Sequence, residues 1–149
     1  MKHAMRVITV AWMVGLAVAV GAAQQDLLNQ AKLLLFDQKW EQALTTLDRY
    51  LDTNPEKQGA AQAIYYRAGC LKELGRTSAA IDAYQDFLEM SGNETLREEA
   101  IIGIIDLSYK LAQGGDGDAA ARLVGYLDHG EQTVQYYAAF RLSYAKDIA

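Results

Sequence analysis

One pattern recurs three times in this chain: an apolar stretch carrying a small residue, a short turn, then an Ala followed four positions later by a large side chain. The three Ala residues are Ala43, Ala80 and Ala120, spaced by 37 and 40 positions. A period of this size belongs to stacked helical hairpins, because a single hairpin exposes an apolar face that only a neighbouring unit covers. The pattern predicts an all-α array of repeats whose business is binding.

The first residues are set apart from that array. Lys2 and Arg6 precede an uncharged apolar run from Val7 to Val20, and Gly21-Ala22-Ala23 supplies the small residues that a signal peptidase accepts. The order predicts a signal peptide over 1–23, cleaved after Ala23, and an exported, periplasmic product. An inner-membrane anchor through an uncleaved segment is the alternative. The run falls short of the ~20 residues that cross a bilayer, which disfavours that anchor, and no membrane span is expected after cleavage. No Cys stands at the cleavage site to take a lipid.

Of the 14 Lys and Arg, two leave with this segment, against none of the 19 Asp and Glu, so the net charge moves from −5 to about −7. So acidic a chain lacks the basic footprint that phosphate backbones require, and nucleic acid is excluded as an expected partner. A single Cys, Cys70, permits no internal disulfide, so packing must supply the stability of the exported domain over 24–149.

Helical periodicity divides this domain into hairpins at about 25–55, 59–91 and 95–128, with a terminal helix at about 132–148. Asp37-Gln38-Lys39 turns the first hairpin and Asn54-Pro55 closes it, because Pro disfavours helix in the residue before it. Gly75 is placed to end a helix at positive φ. Thr95-Leu96-Arg97-Glu98 matches a capping box that would open the next helix. Asp118 is expected to cap the partner helix, after a turn loosened by Gly114, Gly115 and Gly117.

These landmarks resemble the tetratricopeptide repeat. They fall on Leu27, Ala31, Leu34, Ala43, Leu47 and Pro55 in the first unit, then on Ile64, Ala68, Leu71, Ala80, Tyr84 and Gly92. The third unit offers Ile104, Leu107, Ser108, Leu111, Ala120 and Val124. The small residues Ala31, Ala68 and Ser108 let paired helices approach closely. Gln30 and Arg67 replace a usual Leu, and Gln38 stands where a turn Gly is common. The resemblance implies a right-handed α-solenoid of about three hairpins plus the terminal helix. With a signal peptide in front, it is similar to bacterial envelope proteins of the outer-membrane-assembly and Tol-Pal-accessory kind.

Residues that could carry chemistry read more simply as structure. Cys70 lies among inward-facing helix positions and behaves as a small hydrophobe. His129 sits in a turn, and the twelfth position from Asp116 is Leu127 instead of the Glu that a calcium loop needs. No nucleophile with a base, paired-His motif or phosphate-cradling loop is present, so no cofactor, metal or catalytic residue is expected. What remains open is a catalytic site assembled from residues distant in sequence.

The resemblance implies a partner-binding groove lined by the first helix of each pair. Leu28, Lys32 and Leu35, then Tyr65 and Lys72, then Ile105 and Tyr109 would face it. Tyr suits such a role by burying a large area at low rotamer cost, although Tyr65 and Tyr109 could equally fill contacts between repeats. The terminal helix carries Tyr136, Tyr137, Phe140 and Tyr144, spread too widely to be hidden against one neighbour. It is expected to cap the third pair on one side and to leave an aromatic surface on the other.

Two functions follow as expectations. The first is a non-catalytic scaffold in the bacterial envelope that binds a protein or peptide in its groove. The second is a docking or oligomerisation module at the N-terminus of a larger assembly subunit of tetratricopeptide or HEAT type, which would place its largest apolar patch at the end of the stack.

Overall fold

A computed structural model describes residues 21–90 and 94–145. The expected signal segment lies outside these residues up to Val20; the small residues 21–23 of its cleavage site are exposed and helical. The described residues are all-helical. Helix α1 runs from the first of them through 36, followed by α2 (Trp40–Asp52), α3 (Lys57–Glu73), α4 (Thr77–Met90), α5 (Glu94–Gln113), α6 (Gly117–Gly125), a single 3-10 turn (Tyr126–Asp128) and α7 (Gln132–Ser143). Among them no helix is long and apolar enough to cross a membrane. The chain divides after Pro55 into two compact units.

The repeat is written most plainly in its turns. At the end of α1 the Gln38 N–H donates to the Leu35 carbonyl at 3.0 Å and the Lys39 N–H to that of Leu34 at 2.9 Å. Gly75 and Arg76 repeat this onto Lys72 and Leu71, and Gly115 and Asp116 onto Ala112 and Leu111. Each is the six-residue Schellman closure, in which a left-handed residue lets two orphan carbonyls be satisfied. The left-handed residues are Gln38 (φ 58°), Gly75 (φ 72°) and Gly115 (φ 93°). Glycine meets that demand without strain and Gln38 does not.

In the first unit the buried positions are Leu28 and Ala31 on α1 and Ala43, Leu44, Thr46, Leu47 and Tyr50 on α2, the 3-and-4 spacing of one helical face. Asn54 ends this unit at φ 51° instead of in the extended conformation expected before Pro55; Asn tolerates the left-handed region better than other residues with a Cβ.

In the second unit each of α3 to α6 packs on the next, and α7 lies against both α5 and the 3-10 turn. Ala61, Ala63, Ala68, Cys70 and Leu71 of α3 are buried, as are Ala80, Ile81, Ala83, Tyr84 and Phe87 of α4. A Cβ on Gly103 would sit 3.0 Å from Cε2 of Tyr84, so this glycine lets the Tyr84 ring approach α5 closely. Burial, foremost, and then the nearby Glu73 carboxylate push the Tyr84 hydroxyl up to about 12.

Three sequence expectations are corrected here. The helix already begins at Glu94, so Thr95 lies inside α5 and is not its cap. Asp116, not Asp118, caps α6, its Oδ1 accepting from the Ala119 N–H at 3.0 Å. The buried face of α6 is also rotated by one residue: Ala119 and Leu123 are fully buried, whereas Ala120 is only half-buried and Val124 is 54% exposed. The physical reason is the neighbour. Helix α4 packs along α5, whereas α6 packs less extensively on α7, so Ala120 only borders the core and Val124 is left exposed.

Candidate interaction surfaces

The residues expected along the groove do not form one exposed strip. Leu28 is 5% exposed and shares the buried face of α1 with Ala31. Ile105 is fully buried, in a core cluster with Ile101 and Ala112 of α5, Ala119 and Leu123 of α6, and Val134 and Ala138 of α7. Their assignment as surface residues is therefore corrected: α5 is wrapped on more than one side, so the face pointing away from its hairpin partner is core. Lys32 and Leu35 are half-buried, and Lys72 is exposed, with its ammonium 3.5 Å from the Glu73 carboxylate.

The two groove tyrosines are held by packing. Tyr65 is half-buried, its hydroxyl donating to Glu99 Oε2 at 2.6 Å. Its ring stands 5.2 Å from that of Phe87, 5.9 Å from Tyr84 and 6.0 Å from Tyr66. Burial and the bond to Glu99 push its hydroxyl far up, so it stays a neutral donor. Tyr109 packs against the α5–α7 core, accepts from Gln113 Nε2 at 2.9 Å and donates to the Tyr144 carbonyl at 3.4 Å.

A shallow depression in the first unit is lined by Gln30, Leu34, Glu41, Gln42, Thr45 and Thr46. Its two hydroxyls turn back into α2: Thr45 donates to the Glu41 carbonyl at 2.9 Å and Thr46 to that of Gln42 at 2.8 Å. Among the described residues no cluster of His, Cys, Asp or Glu could hold a metal ion. Cys70 is fully buried, and His129 is half-buried, its Nδ1 accepting from the Glu131 N–H at 3.1 Å where α7 begins.

The terminal helix is built differently. Val134 and Ala138 are buried. Beside them Tyr137 donates to Asp106 Oδ1 at 2.9 Å, and Arg141 Nε donates to the same oxygen at 2.6 Å. Arg141 also donates to the Tyr137 hydroxyl at 3.0 Å, and its guanidinium lies over the rings of Tyr137 (5.3 Å) and Tyr109 (5.6 Å). Burial, the largest influence on Arg141, works against its charge. The hydrogen bonds to Asp106 and Tyr137 and the Asp106 charge outweigh it, and the net shift is upward. Charge-assisted bonds of this kind are the strong ones, so α7 is clamped to α5 in a single orientation.

That clamp leaves the other face of α7 bare. Tyr136 is 75% exposed, Phe140 43% and Tyr144 62%. The Phe140 ring stands 5.0 Å from that of Tyr144, edge to face, and 6.4 Å from that of Tyr137. Tyr137, expected on the same surface, faces Asp106 instead and supports the stripe from below. Helix α7 also stops at Ser143, short of the expected 148: the Tyr144 and Ala145 N–H groups donate three residues back, to Arg141 and Leu142. Residues 146–149 lie outside the described chain.

No known protein family matches this chain, and comparison with curated proteins and with solved structures finds no match. The function therefore rests on geometry alone. Asp106 and Glu99, which hold the two surfaces in place, were not singled out by the sequence reading. The signal for Asp106 was present, since it is the lone acid in the apolar run Ile101–Leu107, and Arg141 is the lone charge of α7.

Proposed function

We propose that this chain is a non-catalytic docking scaffold, a tetratricopeptide-like α-solenoid that engages a protein through its C-terminal end. The carrying observation is where apolar surface is left over. Among the described residues seven large hydrophobic side chains are exposed, and five of them, Val124, Leu127, Tyr136, Phe140 and Tyr144, belong to α6, the 3-10 turn and α7. Exposed apolar patches concentrated in this way mark interaction sites. The solenoid reading is supported by the three equivalent Schellman turns, and export to the periplasm by the charged start and apolar run before Ala23.

Groove binding is the weaker reading, because Tyr65 and Tyr109 are spent on packing. Capture from an envelope extract by the wild-type chain, by a Tyr136→Ser/Phe140→Ser/Tyr144→Ser variant and by a Tyr65→Ala/Tyr109→Ala variant separates the two. Loss of the captured protein in the first variant, with helicity unchanged, is the expected result. Loss only in the second would assign binding to the groove. Amino-terminal sequencing of the periplasmic protein checks export: Gln24 is the expected first residue, and full-length chain in the membrane pellet would favour the anchor.

A further inference from the structure

We infer that the occupant of the α7 surface is a second copy of the same chain, held in an antiparallel, two-fold contact centred on Phe140. This inference rests on the docking reading above and supplies the partner. Its geometric basis is the order of the exposed aromatics. Tyr136, Phe140 and Tyr144 follow one another at four-residue intervals, Tyr-x3-Phe-x3-Tyr, and so form one stripe about 12 Å long. The stripe reads the same in both directions. Turned about a two-fold axis through Phe140, it brings Tyr136 of one copy against Tyr144 of the other, twice, and the two Phe140 rings together at the axis, where a hydroxyl would have no partner. This is the self-complementarity that an isologous interface requires.

Charge points the same way. Two copies of a chain with net charge −5 repel unless they meet where acids are absent. Helix α7 contains no acid and one charged residue, Arg141, which is already neutralised by Asp106 within its own copy. Pairing α7 with α7 therefore sets no acid of one helix against an acid of the other.

Area sets the strength. The exposed fractions of the three aromatics correspond to roughly 350 Å² of side chain per copy, against about 800 Å² per partner in a standard interface. The exposed Gln132, Ala139 and Ser143 of α7 add to it, and the small Ala139 and Ser143 leave room for opposing rings. The contact is that of a reversible dimer. The clamp of Tyr137 and Arg141 on Asp106 holds the stripe in one orientation before the copies meet, which lowers the cost of ordering it.

Sedimentation equilibrium on the protein purified from cells expressing the whole chain, from micromolar to several hundred micromolar, is expected to show a monomer–dimer equilibrium. Phe140→Glu and Tyr136→Glu are each expected to raise the dimer Kd by roughly 30-fold or more with an unchanged helical spectrum. Single cysteines read the register under mild oxidation, with the buried Cys70 as an unreactive internal control. Phe140→Cys should crosslink to itself, whereas Tyr136→Cys and Tyr144→Cys should crosslink to each other on mixing far better than either does alone. A monomer throughout, with no Phe140→Cys crosslink, would overturn the second copy; if the α7 triple variant still lost its captured protein, the docking reading would stand and the occupant would be a different chain. Equal self-crosslinking of Tyr136→Cys and Tyr144→Cys would mean parallel helices and would also overturn the arrangement.

Discussion

At Gln38 the repeat asks for a residue with no Cβ and does not receive one. Its φ of 58° matches Gly75 and Gly115 in the same turn, and a side chain in that region costs about 1–2 kcal/mol. Gln38→Gly is expected to stabilise the first unit by about 1 kcal/mol, part of the gain being lost to greater freedom of the unfolded chain; a higher urea midpoint with unchanged slope would show it. Asp106 is the counterpart in the second unit, accepting from the Tyr137 hydroxyl and from Arg141 Nε and forming an ion pair with the same guanidinium. Asp106→Asn removes the charge that holds Arg141 but keeps the shape. Because the pair is about one-third exposed, the expected loss is about 1–2 kcal/mol, read as faster amide exchange in α7 than in α4.

Among the elements, α6 is the most informative because the repeat and the structure disagree about it. Counted from its turn, Ala120 is equivalent to Ala43 and Ala80, and all three N–H groups donate to the residue just after the left-handed position. Burial nevertheless belongs to Ala119 and Leu123. Leu123→Ala should therefore cost about 2–5 kcal/mol, while Val124→Ala should stay within about 0.5 kcal/mol. Thermal melts of both variants check this, and the reverse order would restore the repeat register. The elements themselves were legible: six of the seven helices start within about two residues of where periodicity and turn residues put them. Their ends were less so. The extension of α7 beyond Ser143 gave way to local backbone bonding that residue patterns do not encode.

For the whole molecule, alkaline pH is the lever. The Tyr84 hydroxyl is raised from 10.0 to about 12 by burial and neighbouring acids, and Tyr65, Tyr126 and Tyr137 are shifted in the same direction, burial again leading. A group whose folded pKa is raised contributes stability that is complete below its unfolded pKa and is lost as pH rises through the folded value. The fold is thus expected to keep this contribution up to about pH 10 and to lose it between about pH 10 and 12. For Tyr84 alone the loss is on the order of 2–3 kcal/mol. Tyr84→Phe should move the alkaline unfolding midpoint, followed by circular dichroism, to higher pH; an unmoved midpoint would mean that another tyrosine governs it.

What the sequence determined by itself was the helical class, the place of each turn and the presence of an aromatic excess on the last helix. These are properties of residues close together in the chain, and a helix or a Schellman closure is satisfied within a handful of positions. It did not determine which faces are free. Ile105 and Tyr109 occupy neighbouring sides of α5, and α7 folding back on that helix makes the first core and bonds the second to the Tyr144 carbonyl. Asp106 and Arg141 are likewise an isolated acid and an isolated base until 35 positions of chain are closed between them. Exposure depends on which helix arrives beside which, and only the tertiary structure decides that.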